Sequence, residues 1–191
     1  MNNNDLTSAL EFLRSVEPLK DTLRRSHTAS GRVESTAEHS WRLCLMALLF
    51  EDHYPDLDIL KLIKICIIHD LGEVISGDIA AVDQIPGENK NHQERKDLEQ
   101  LTSSLPPGLK DKILTLWDDY DQAQSEEALV AKAFDKLETI LQHTQGQNPP
   151  DFDYDFNLSY GKKYTDFDKL TKSLRTLIDQ DTAQLAQRNK R

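Results

Sequence analysis

A chain of 191 residues carrying 23 basic and 33 acidic side chains, a formal charge of −10, is long enough for one sizeable core. That balance excludes a general nucleic-acid or membrane surface, because both need a basic face, while leaving room for a small anionic substrate met by a few arginines or a metal. Seven glycines, seven prolines and almost no alternation of Val, Ile and Thr point to an all-α fold.

Leu6–Leu19 is expected as a first helix with Leu10, Leu13 and Val16 along one side. A polar, basic loop follows, KDTLRRSHTASGRVE, with Arg24, Arg25 and Arg32 between Gly and Ser punctuation. STAEHSWRLCLMALLF opens on a capping box, Ser35 three residues before Glu38, so a helix begins there. Asp56 or Asp58 caps the next helix, which ends near Leu71-Gly72. Residues 73–90 read as a loop, Asn91–Leu101 as a helix, and SSLPPG as a break. Leu109–Tyr120 and Ser125–His143 follow as helices, with WDDYD a helix end anchored by Trp117.

QGQNPPDFDYDFN reads as a loop whose DFDYDF stretch is an acidic surface segment, with the border of the active site or a dimer interface as its alternatives, and Thr165–Gln187 as a helix presenting Leu170, Leu174, Leu177 and Ile178. No repeat, linker or domain boundary interrupts the chain, so residues 1–191 are expected to form one domain, with a core over about 10–145 and a C-terminal loop and helix over 146–191. Cys44 and Cys66 lie in apolar helical runs and read as reduced core residues. With no secretory leader in MNNNDLTSAL and no apolar stretch of membrane length, the cytoplasm is the expected compartment.

The polar residues inside this pattern carry the chemistry. Eight of the ten residues from Ile59 to Ile68 are apolar or Cys, yet the run delivers His69-Asp70, with Glu73 and Asp78 just beyond. A helix end exposing both groups to water is the plain alternative. Three carboxylates and an imidazole that close repel unless a cation holds them, and a metal answers that crowding best. His39 shares a helix face with Arg42, Leu43, Met46 and Phe50, and by itself reads as a satisfied core histidine. Asp135 lies off the apolar stripe of Val130, Phe134, Leu137 and Leu141, so periodicity alone makes it a solvated Asp, although Ala128 and Ala131 on its face would admit a close neighbour.

In order along the chain, ESTAEHSWR, IHDLGEVISGD and AKAFDKLE resemble the HD-domain metal-dependent phosphohydrolases, and within them the small proteins that include the bacterial 5′-deoxynucleotidases. A bare His-Asp dipeptide is weak evidence, whereas H-D-x-x-E-x-x-x-G-D behind an E-H-S helix is specific. The resemblance spans about residues 10–145 and implies a single HD-domain helical bundle with its metal site in the core. It further implies that His39, His69, Asp70 and Asp135 ligate one divalent ion, which can be Mn, Co, Fe, Zn or Mg, and that Glu73 and Asp78 handle protons. Arg24 would hold the substrate phosphate, with Arg32 a second candidate in the same loop.

The implied activity is hydrolysis of (deoxy)nucleoside 5′-monophosphates, with a homodimer as the expected assembly. Other phosphate esters, a nucleotide pyrophosphate bond, or non-catalytic metal or nucleotide binding are the alternatives. Retention of Glu73 and Asp78 favours catalysis, since a binder needs only ligands. One departure stands out. The bacterial pattern has a Trp after the phosphate-binding arginine, crowding the sugar, and this chain has Arg25. Trp41, on another helix face from His39, is expected to pack against a neighbour.

Overall fold

The computed structural model describes residues 2–83 and 90–190. They form a helical bundle with one antiparallel hairpin, in the order α1 (Asn3–Ser15), β1 (Leu23–His27), β2 (Val33–Ser35), α2 (Thr36–Leu49), α3 (Ile59–Ile68), α4 (Glu73–Ser76), α5 (Lys90–Leu101), α6 (Pro107–Gln122), α7 (Glu126–Gln145), α8 (Tyr154–Asn157), α9 (Lys162–Thr165) and α10 (Lys169–Asn189). The all-α expectation holds. Among the described residues no helix is long and apolar enough to cross a membrane.

The capping signals act as the sequence implies. Ser35 accepts from the Glu38 amide while the Glu38 carboxylate accepts from the Ser35 amide, a reciprocal box that starts α2. Asp58, not Asp56, caps α3, and Ser125 caps α7. Leu43, Leu62, Ile65, Phe134, Leu137 and Ile140 pack where α2, α3 and α7 meet. A second cluster joins Leu19, Ile68, Leu71, Leu98 and Trp117. Helix α7 runs through the middle, buried at positions all around its circumference, from Val130 and Phe134 on one side to Asp135 and Glu138 on another. The free thiol of Cys66 is in the core, and that of Cys44 is half-buried beside it.

Several expectations need correction. The stretch read as a basic loop contains a hairpin in which Leu23 faces Ser35 and His27 faces Val33, with an irregularity between. LRRSH holds no β-branched residue, so its period of two is hidden: Leu23 and Arg25 point to solvent, and Arg24 and Ser26 point inward. The first helix stops at Ser15, a short 3-10 turn covers Glu17–Lys20, and Leu10 and Leu13 are exposed on α1.

Residues 73–90 are not wholly a loop, for α4 and a 3-10 turn at Ala81–Asp83 lie within them, while 84–89 fall outside the described residues. The C-terminal loop contains α8, and Thr165 ends α9 rather than starting the last helix. Ile178 packs in the core but Leu177 is exposed, and Trp41, 63% exposed, does not pack as expected.

Two glycines shape the segment after His69-Asp70. A Cβ on Gly72 would meet the Glu94 carbonyl of α5 at 2.6 Å, so only Gly lets α5 approach this closely. Gly77, at φ +80°, ends α4 in the left-handed region and swings the chain so that Asp78 returns to the site.

Candidate metal centre

His39 follows the α2 cap by one turn and is completely buried. Its Nδ1 bonds the Glu138 carboxylate, whose other oxygen accepts from Arg42 Nε at 2.6 Å. His69, the C-cap of α3, gives its Nδ1 proton to the Cys66 carbonyl at 2.9 Å, and its own carbonyl accepts from Trp117 Nε1 at 3.0 Å. Both rings are thereby held in the tautomer that turns the Nε2 lone pair to one common point.

The carboxylates of Asp70 and Asp135 face the same point. His39 Nε2 lies 3.3 Å from Asp135 Oδ1 and 3.8 Å from Asp70 Oδ2, and His69 Nε2 lies 3.0 Å from Asp70 Oδ2. Neither Nε2 atom has a hydrogen-bond partner, although both are buried. His39, His69 and Asp70 offer ligand atoms all within 4.8 Å of one another, with Asp135 closing a fourth side. Lone pairs facing carboxylates in a buried place are repulsive, and a cation at their focus removes that repulsion.

The proton affinities point the same way. Burial and Arg24 oppose charging His39, yet Glu138 and Asp135 push it up to about 10, so the ring attracts positive charge. Burial opposes ionisation of Asp70 as well, but His69 and His39 hold it below the usual carboxylate range. Asp135 is held low against its burial by Lys136 and His39. Two imidazoles and two carboxylates are a donor set that a divalent ion fits.

Asp135 is therefore not the solvated residue that periodicity implies. Its side chain is 7% exposed, and Oδ2 accepts from Tyr120 Oη at 2.6 Å and from Lys136 Nζ at 2.8 Å, which leaves Oδ1 for His39. His39 is only half satisfied, and the pair at the end of α3 is not a solvated helix end. Glu73, 2% exposed, starts α4 behind Asp70 and accepts from Thr36 Oγ1 at 3.2 Å and from Lys90 Nζ at 3.1 Å. Burial, then Asp70 and Asp78, push its carboxyl up to about 9. Asp78 has Lys90 Nζ at 3.8 Å and lines the cavity.

That cavity, about 490 Å³, opens on Asp70 and Asp135 and is bordered by Arg24, Ser26, His143 and Asn157. The Arg24 guanidinium spans Glu34 at 3.4 Å, Asp70 at 3.7 Å and Thr139 Oγ1 at 3.0 Å. Its neighbour Arg25, on the outward face of β1, also borders the cavity and bonds Asp83 Oδ1 at 2.8 Å. Arg32 does not border the cavity. Its guanidinium is committed to Glu38 at 2.7 Å, an exposed pair that braces the α2 cap. DFDYDF is no plain surface loop, since Asp153 caps α8, Tyr154 is buried and Phe152 packs edge-on to His143 at 4.8 Å.

Glu138, Lys136, Tyr120, Thr139 and His143 also brace or border the site, and none of them stands out from the sequence singly. A signal was available: Asp135, Glu138, Thr139, Gln142 and His143 recur at helical spacing, a polar stripe opposite the apolar one. Two stripes on one helix mean a helix buried on both faces.

An all-α bundle that turns two orphaned imidazole nitrogens and two buried carboxylates on one point defines a helical metal-dependent hydrolase, an enzyme with the Arg24 guanidinium beside its centre. The chain belongs to the HD domain family, whose profile matches residues 16–175. It is 35% identical over 140 residues to 5′-deoxynucleotidase HDDC2 of Homo sapiens, covering 72% of this chain and 68% of that protein. The Xenopus laevis protein of the same description is 36% identical over 137 residues, 71% of this chain and 67% of that one. The crystal structure of a predicted metal-dependent phosphohydrolase from Magnetospirillum magnetotacticum MS-1 shares the fold, with a TM-score of 0.82 at 24% identity over 98% of this chain and 95% of that one.

Proposed function

We propose that the chain hydrolyses (deoxy)nucleoside 5′-monophosphates to nucleoside and inorganic phosphate, with one divalent ion held by His39, His69, Asp70 and Asp135. The observation that carries this reading is the pair of buried, unpartnered Nε2 atoms facing Asp70 and Asp135 at one end of a cavity that Arg24 also borders. The names of the relatives supply the substrate class. Two imidazoles favour a first-row transition ion over Mg²⁺. Such an ion lowers the pKa of bound water and neutralises phosphate charge.

The protein's own groups do the rest. Arg24, kept in place by Glu34 and Thr139, offers N–H donors to phosphate oxygens. Lys136 and Tyr120 hold Asp135 so that Oδ1 stays turned to the centre. Glu73, buried beside Asp70, and Asp78 on the cavity wall are the two carboxyls that handle protons, one at the attacking water and the other at the leaving 5′-oxygen.

Phosphate release from a panel of nucleotides, by protein stripped of metal and then given Mn²⁺, Co²⁺ or Zn²⁺, tests the reading. Activity should need added metal and should favour 5′-monophosphates. Arg24→Ala should raise KM or lower kcat/KM by about 10-fold or more, the loss of a charge-assisted contact, while Arg32→Ala should leave both unchanged. Full activity in protein shown by elemental analysis to hold no metal would sink the proposal.

A further inference from the structure

One face of α7 forms a ladder. Asp135, Thr139 and His143 follow one another at intervals of four residues, each rung about 6 Å above the last. Asp135 faces the candidate metal centre, Thr139 Oγ1 accepts from Arg24 at 3.0 Å, and His143 Nε2 lies 3.0 Å from Ser26 Oγ. The opposing rail is β1, whose inward residues Arg24 and Ser26 are two apart, hence about 6.6 Å along the strand. Arg24 meets Thr139 and Ser26 meets His143, so the two rails run side by side from the metal centre past the Arg24 guanidinium to Ser26. Arg24 and Ser26 thus border the same cavity from successive inward positions of one strand.

The far rung is a defined chain of hydrogen bonds. Asn157 Oδ1 accepts from His143 Nδ1 at 3.3 Å, which leaves Nε2 as the acceptor for the Ser26 hydroxyl. Phe152 packs edge-on to the imidazole at 4.8 Å and fixes its plane. Burial pushes His143 down to about 4, so the ring is neutral near neutral pH and keeps that acceptor. With its own proton committed to His143, Ser26 Oγ presents only lone pairs to the cavity. It can accept a hydrogen bond there but cannot donate one. Asn157, 1% exposed, borders the same cavity, and its Nδ2 has no hydrogen-bond partner, an open donor that a bound molecule would satisfy.

We infer that Ser26, positioned by His143 and Asn157, accepts a hydrogen bond from the sugar 3′-hydroxyl of the substrate, and that this half of the cavity takes the nucleoside. The inference rests on the nucleotidase reading and adds the group by which the sugar is recognised. The experiment compares a 2′-deoxynucleoside 5′-monophosphate with its 2′,3′-dideoxy counterpart on wild type and Ser26→Ala, by phosphate release and separately by calorimetric binding. Wild type should favour the deoxy substrate by about 10-fold in kcat/KM, carried mainly in KM. Ser26→Ala should erase the preference by weakening the deoxy substrate alone. A merely structural role for Ser26 would weaken both alike.

Equal wild-type values for the two substrates, or equal losses in Ser26→Ala, overturn the inference and leave the nucleotidase reading standing. If wild type releases phosphate from neither nucleotide, that reading falls, and the binding arm decides. Tighter binding of the deoxy ligand by wild type but not by Ser26→Ala upholds the Ser26 contact, and indifference overturns it.

Discussion

At the scale of single residues, the site is built from groups kept in uncomfortable states. Glu73 is the clearest case. Its ordinary carboxyl pKa of 4.5 is raised to about 9, first by burial and then by Asp70 and Asp78, against the pull of Lys90. Between those values the folded state holds more protons than the unfolded one, so this group's effect on stability grows more unfavourable as pH rises through that window. Glu73→Gln removes the titration but keeps the size and the hydrogen bond from Thr36. In metal-stripped protein, the melting temperature of Glu73→Gln should gain on wild type from about pH 5 to about pH 9 and converge with it below about pH 4.5. An offset independent of pH would show that the carboxyl is not strained as described. The same substitution should remove most of the phosphatase rate, since general acid-base groups contribute about 10²–10⁴-fold.

At the scale of elements, three junctions aim the ligands: the N-terminal box of α2, the C-terminal end of α3 and the polar stripe of α7. Ser35 and Glu38 start α2 one turn before His39, and Arg32 clamps the same Glu38 from the hairpin. Ser35→Ala removes a side-chain cap and should cost about 1 kcal/mol, a fall of about 2–4 °C in melting temperature for a chain of this length. Because the imidazole is also held by Glu138 from α7, phosphatase activity in excess metal should survive. Thermal melts with kinetics at saturating Mn²⁺ check both halves, and activity lost along with the cap would mean that the box alone aims His39. Elements also explain what eluded the sequence. A strand whose inward residues are Arg and Ser has no apolar alternation, and α7, buried on both sides, has a polar stripe that looks like a solvated face when read alone.

At the scale of the whole molecule, the candidate centre ties together α2, the end of α3 and α7, with the hairpin at its edge. An ion bound there is bound only by the folded state and stabilises it by mass action, about 2.7 kcal/mol when the free ion is 100 times its dissociation constant. Chelation should therefore lower the melting temperature by about 5–10 °C, and Mn²⁺ or Co²⁺ should restore it. A melt indifferent to chelator and to added ion would count against occupancy of the four-ligand site. Asp70→Ala should remove the response to metal altogether, since it takes away a carboxylate that lies within 4 Å of both imidazole Nε2 atoms, 3.0 Å from His69 and 3.8 Å from His39.

The helical class, the cap of α2, the Asp cap of α3, and the crowding of His69, Asp70, Glu73 and Asp78 were all legible in the sequence, because propensity, capping and like-charge repulsion act between near neighbours. So was the Asp135 of AKAFDKLE, though only by resemblance, its own helical period arguing for solvent. The tertiary structure alone separated the two candidate arginines, of which Arg24 borders the cavity and Arg32 does not. Arg24 and Arg32 lie in the same basic stretch, but strand alternation turns Arg24 inward while Arg32 pairs with Glu38. It also decided that Glu138 and Trp117 hold His39 and His69, and that Ser26 meets His143 and Asn157. Those contacts join residues 99, 48, 117 and 14 positions apart, and their geometry depends on how separate helices and the hairpin pack against one another, which no local pattern encodes.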